Sequence, residues 1–187
     1  MTVSHHPAIS TRAVVHVVSF AALIAALGLL PPLPVPVIPV PITAQTLGVM
    51  LAGAVLGPRR GALSVALFLL TVGLGFPLLS GGRGGLGVFA GPGGGFLMGW
   101  ITGAFVTGAL CPPRGAIAFT QAMTACVVGG IGAVYLVGVP WMAIVGDLGV
   151  IPAAIASAAF LPGDIAKAVI AAATAQTVRR AHPEVPQ

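Results

Sequence analysis

Apolar residues along this chain form long solid blocks, separated by short runs of Gly, Pro and Arg, and do not alternate with polar ones. Six blocks read as helices, over about 13–30, 44–57, 62–79, 96–110, 116–138 and 162–179. A helix that is apolar all round belongs in a protein core or a membrane, and about 20 apolar residues cross a bilayer. The breaks between blocks are sharp: PPLPVPVIPVP at 31–41, GPRRG at 57–61, SGGRGGLGVFAGPGGG at 80–95 and CPPRG at 111–115. Pro lacks the N–H donor and its ring clashes with the preceding turn, so each Pro run ends a helix. Thr43 stands where it would cap the second helix. Pro162 suits the first turn of the sixth. Residues 139–161 are apolar but interrupted by Pro140, Gly149 and Pro152, which predicts a lid or re-entrant piece carrying a short helix. Asp147 there would cap that helix.

The pattern predicts an all-α integral membrane protein of six transmembrane helices, forming one transmembrane domain over 1–187 with Gly/Pro-rich outer loops as a lid. The first block follows His5, His6 and Arg12 and resembles a leader, but it is long and lacks a small-x-small cleavage signal, so it reads as a mature span.

Composition narrows the picture. The chain is 57% hydrophobic and 6% charged, with mean hydropathy +1.08, against roughly 25% charged in ordinary soluble chains. The net charge of +5 raises a nucleic-acid reading, yet the basic residues are scattered and form no basic face with interleaved aromatics. Topology accounts for them. With the N-terminus inside, Arg12, Arg59, Arg60, Arg114, Arg179 and Arg180 all fall on the cytoplasmic side, as the positive-inside rule requires. The tails 1–12 and 180–187 are then cytoplasmic, in a multi-pass membrane protein. A seventh span over 141–160 would place Arg179 and Arg180 outside. Cys111 and Cys126 have no CxxC neighbour or His partner and read as small packing residues.

Arg83 and Lys167 break the charge rule. Lys167 stands three residues after Asp164, so the two share one helix face, in an otherwise oily segment, LPGDIAKAVIAAATAQTVRR. Ionisable groups within membrane segments are expensive and mark functional sites. The bland alternative is a dipole-stabilised Asp beside a snorkelling Lys. Together the two suit a ligand with adjacent donors and acceptors, such as a cyclic urea or amide. Thr43, Gln45 and Thr46, at the exit of the Pro run, fall on the same outer side, where a buried Gln45 amide needs partners. Arg83, in GGRGG, either sits in water or docks an anionic group such as a carboxylate. Tyr135 and Trp141 read mainly as interface anchors, with stacking of one of them on a ligand as the alternative. In AALIAAL, Ala21 with Ala25 and Ala22 with Ala26 form small-xxx-small faces for close helix packing, either internally or on a membrane partner.

Four strings, IPVPITAQTLGVMLAG, LGPRRGALS, GGLGVFAGPGGGFLMGW and LPGDIAKA, taken in order, resemble the biotin-specific substrate-capture subunits of energy-coupling factor transporters, the BioY family. The resemblance implies a six-helix membrane protein that binds biotin on its outer face. The implied partners are a transmembrane coupling protein and a pair of ABC-type ATPases, which alone use ATP. It places Asp164 and Lys167 on the bicyclic ureido head, Gln45 on the pocket wall, and Ala22 and Ala26 on the coupling protein. The family often reads GPTGG where this chain has GPGGG, so a Thr contact is missing at Gly93.

Other classes fit less well. Another vitamin as ligand, such as thiamin or riboflavin, would favour an aromatic pocket, and only 6% of residues are aromatic. An intramembrane enzyme needs a nucleophile–base pair or metal cluster, and no span carries either; no cofactor or catalytic residue is expected. A channel or structural protein, and self-association into a homo-oligomer, stay open.

Overall fold

In a computed structural model of the chain, the described residues are 11–35, 38–112 and 115–181. His5, His6, Arg114, His182 and most of both tails lie outside them. The first helix, α1, is Thr11–Leu27. A hairpin of β1 (Leu33–Val35) and β2 (Ile38–Ile42) follows. Next come α2 (Gln45–Leu56), α3 (Pro58–Gly73), the single turn α4 (Gly87–Ala90) and α5 (Gly94–Leu110). Then α6 (Phe119–Ala125), a π-helical stretch (Cys126–Ala133) and α7 (Val134–Val145) run on as one rod of 27 residues. Last, α8 (Val150–Ser157), a 3-10 turn (Ala158–Phe160) and α9 (Leu161–Ala181) form a second rod of 32 residues. At 1.5 Å per residue the rods are about 40 and 48 Å long, each enough to cross a bilayer.

The Pro run follows the end of α1, as expected, and adds strands to the picture; other expectations are corrected. The Pro run is a hairpin: β1 and β2 pair antiparallel, Leu33 opposite Ile42 and Val35 opposite Ile38. The prolines fall at alternate positions, so the residues that face the partner strand keep their N–H groups. The third helix stops at Gly73, not 79, and the loop folds back at Leu79 and Arg83 through an isolated bridge. Residues 139–161 carry the expected short helix, α8, but it runs on into α9 and is no separate piece. Pro140 lies inside α7, and only Gly146–Gly149 breaks the path. Pro is tolerated in membrane helices because local readjustment re-satisfies the freed backbone groups. Asp147 does not cap α8; it turns the chain in the left-handed region at φ 52, which Asp reaches more readily than most residues. Gly149 occupies the cap position without a side-chain bond.

Small residues bring the helices close. A Cβ on Gly53 of α2 would overlap the Ala104 carbonyl of α5, and one on Gly129 would overlap Thr107. Gly57 turns α2 into α3 at φ 80, with Pro58 as the first helical residue. Such contacts replace the hydrophobic drive that is missing between helices in lipid.

The core has two parts. One gathers Ile24, Val65, Phe68, Phe96, Trp100, Met142 and Phe160. The other gathers Met50, Leu56, Ile117, Ala172 and both cysteines, which are free and buried. Spacing alone put nothing between Cys111 and Cys126, yet the fold seats both in this second cluster. Burial raises the Cys111 thiol above its ordinary value, with the nearby Arg179 charge opposing, so it is an unreactive packing group. Beside it, Arg179 is 3% exposed. Its Nε donates to Gly115 O at 3.1 Å, Nη1 to Ala54 O at 3.4 Å and Nη2 to Pro112 O at 2.6 Å. One guanidinium fork thus ties α9 to the end of α2 and to the turn after α5.

Candidate binding site

Residues from the hairpin, α2, the Gly-rich loop, α5, α7 and α9 converge on a partly open cavity of about 390 Å³. That volume falls in the range of roughly 300–1,000 Å³ that suits a small molecule. Its walls are mostly apolar and aromatic: Val40, Ile42, Val88, Phe96, Trp100 and Phe160. Phe96, Tyr135 and Phe160 meet edge to face, with centroids 5.9 to 6.5 Å apart, the arrangement that aromatic quadrupoles favour. Glycines 84, 87, 91 and 93 line the loop side, where small residues leave room.

The polar groups gather at one pole. Asp164 stands in the first turn of α9, where the helix dipole favours a carboxylate, and is 5% exposed. The Lys167 ammonium meets Asp164 Oδ1 at 2.7 Å. It also donates to Thr46 Oγ1 at 2.7 Å and to the Thr43 carbonyl at 2.9 Å. The Thr46 hydroxyl in turn points at Asp164 Oδ1, at 3.5 Å. Tyr135 donates to Asp164 Oδ2 at 2.7 Å. A buried charge pair is tolerable when further hydrogen bonds fill its remaining valences, and this network provides them.

All five site residues expected from the sequence line the cavity: Thr43, Gln45, Arg83, Asp164 and Lys167. Their roles differ. Thr43 makes no capping bond, since Ala44 holds the cap position of α2; its carbonyl serves Lys167 instead. Gln45 is fully buried, and both of its amide protons are used. Its Nε2 donates to Ile24 O and Leu78 O, and its Oε1 accepts from Ser80 N at 3.1 Å. It fixes the wall to α1 and the loop. Arg83 is exposed at the rim, with Nε donating to Ser80 O at 3.3 Å. Ala22 and Ala26 lie away from the cavity on the exposed side of α1, whereas Ala21 is buried and Ala25 half-buried.

Tyr135 is not the interface anchor expected from the sequence; it belongs to the polar pole. Its one available signal was that a lone tyrosine in an apolar helix needs a partner for its hydroxyl. Trp141 donates from Nε1 to Gly91 O at 3.0 Å, pinning the Gly-rich loop to α7. Among the described residues no His, Cys, Asp and Glu cluster could hold a metal ion.

Several apolar helices wrapped around a cavity with one charged pole define a helical membrane protein built around a small-molecule pocket. The BioY family matches over residues 1–184, and the chain belongs to that family. It is 50% identical over 183 residues to a Rhizobium etli protein named "Biotin transporter BioY", covering 95% of this chain and 98% of that one. A Rhodobacter capsulatus protein of the same name is 45% identical, covering 88% and 91%. A crystal structure described as the S-component for biotin from an ECF-type ABC transporter superposes with a TM-score of 0.84. It is 29% identical, and the match covers 92% of this chain and 95% of that one.

Proposed function

We propose that this chain captures biotin at the outer face of a bacterial cytoplasmic membrane and is the substrate-specific subunit of an energy-coupling factor importer. One observation carries the reading: a buried Asp164–Lys167 pair forms the polar pole of an otherwise apolar cavity of about 390 Å³. Biotin has a polar ureido ring, an apolar thioether ring and an anionic tail, and that cavity complements each part. The names carried by the relatives support the same assignment.

In this reading the N–H groups of the head meet the Asp164 carboxylate, which Lys167 anchors, with Thr43 and Gln45 shaping the wall beside them. Arg83, at the rim, receives the tail carboxylate through its guanidinium. The whole chain is one transmembrane domain of six spans: α1, α2, α3, α5, the rod Phe119–Val145 and the rod Val150–Ala181. Both tails, 1–12 and 180–187, are cytoplasmic, and the hairpin and Gly-rich loop form the outer lid. Ala22 and Ala26 dock on a transmembrane coupling protein, and a pair of ABC-type ATPases supplies the energy.

The test is equilibrium binding of labelled biotin to the detergent-purified chain. Binding by the parent chain and its loss in Asp164→Asn, with folding retained, is the expected result. A parent chain that binds no biotin, or an Asn variant that binds it equally well, would overturn the reading.

A further inference from the structure

The hydrogen-bond inventory at the polar pole is lopsided. An ammonium has three donors and no acceptor, and all three of those on Lys167 are engaged, by Asp164 Oδ1, Thr46 Oγ1 and the Thr43 carbonyl. The one hydroxyl proton of Thr46 points at Asp164 Oδ1, and that of Tyr135 goes to Oδ2. The donors are therefore committed within the protein. Acceptors remain. A carboxylate offers about four lone-pair positions; Oδ1 receives Lys167 and Thr46, while Oδ2 receives only Tyr135. The phenolic oxygen, having donated, can itself accept. Asp164 and Tyr135 both line the cavity.

We propose that Tyr135 is the positioning residue that sets ligand selectivity. By donating to Oδ2 it fixes the orientation of the Asp164 carboxylate, and the lone pair left on that oxygen selects ligands bearing N–H donors. This rests on the cavity being the biotin site, and it deepens that reading by naming what the pole measures: the N–H groups of a cyclic urea. A ligand group that brings only acceptors there leaves buried lone pairs facing one another, and sites built to hydrogen-bond a missing group reject such analogues strongly. The tyrosine ring is itself fixed, packed edge to face between Phe96 and Phe160. The hydroxyl therefore has little freedom to follow a differently shaped ligand.

Tyr135→Phe removes the donor and keeps those ring contacts. Its affinity for biotin is compared with that for an analogue whose ureido nitrogens carry methyl groups, in parent and variant, beside ligand-free melting temperatures. The parent should prefer biotin strongly. In the variant, biotin should weaken by about tenfold to a hundredfold, and the preference over the methylated analogue should fall at least about fivefold, because an untethered carboxylate discriminates less. Equal weakening of both ligands would reduce Tyr135 to a structural part and overturn the proposal, as would unchanged biotin affinity. A parent chain that binds neither ligand would remove the biotin reading itself, and this inference with it.

Discussion

The ammonium of Lys167 lies 2.9 Å from the backbone carbonyl of Thr43, across 124 residues of sequence. That bond joins the first turns of α9 to the point where the hairpin enters α2. A side chain chosen from sequence as a ligand contact is therefore also a tie between two walls of the cavity.

Lys167→Ala cuts this tie and leaves Asp164 charged, buried and short of its cation. Removing one partner of a buried pair costs about 3–5 kcal/mol. A marked fall in melting temperature is expected together with loss of biotin binding. Lys167→Arg should recover stability only in part, since a planar fork cannot reproduce three divergent bonds. Thermal unfolding and labelled-biotin binding on both variants check this; an Ala variant as stable and as tight-binding as the parent would refute it.

Gln45 offers a sharper substitution, because Gln45→Glu keeps its shape. The new carboxylate oxygen would face the Ile24 and Leu78 carbonyls, which now accept from Nε2. Acceptors would meet acceptors at a fully buried position, at a cost of about 1–3 kcal/mol or more. The loop carrying Leu79 and Arg83 should loosen, so biotin affinity falls with stability. Faster amide exchange at Leu78 to Ser80 is the specific readout, and unchanged exchange would argue against it.

What could be read from sequence follows from how visible each signal is. Asp164 and Lys167 stood out because charge in an apolar block has few innocent explanations. Gly and Pro stops mark the helix ends well, except at Pro140, which stands inside α7 without ending it. The hairpin was missed because prolines at every second position hide a strand from any periodicity of side chains. The bond from Tyr135 to Asp164 is invisible in the sequence because the two lie 29 residues apart, on different helices, where no local spacing points. Arg179 was read as half of a cytoplasmic pair, since a basic residue at a helix end satisfies the charge rule whether it faces water or the core.

The exposed small face of α1 yields a separation of functions. Ala22 and Ala26 face outward and are absent from the cavity lining. Ala26→Leu should therefore leave biotin affinity of the isolated chain unchanged, while a bulkier surface blocks close helix approach. Co-purification with the coupling protein, and uptake in cells, should both drop. Normal uptake by a variant that binds biotin normally would move the docking surface elsewhere.

Arg179 supplies the opposite control. Its bonds to Ala54, Pro112 and Gly115 carbonyls hold the far end of the bundle, and it is absent from the cavity lining. Arg179→Met fills similar volume but strands three carbonyls near the turn after α5, each left unsatisfied at about 1–3 kcal/mol if no water reaches it. Stability should fall by a few kcal/mol, while the biotin affinity of the folded fraction stays near that of the parent. Arg179→Lys should fare little better, because one ammonium cannot span acceptors arranged for a planar fork. A Met variant with parental melting temperature would show that water replaces the guanidinium there without loss. A folded variant with strongly weakened binding would instead show that this clamp transmits its geometry to the cavity through α2 and α9.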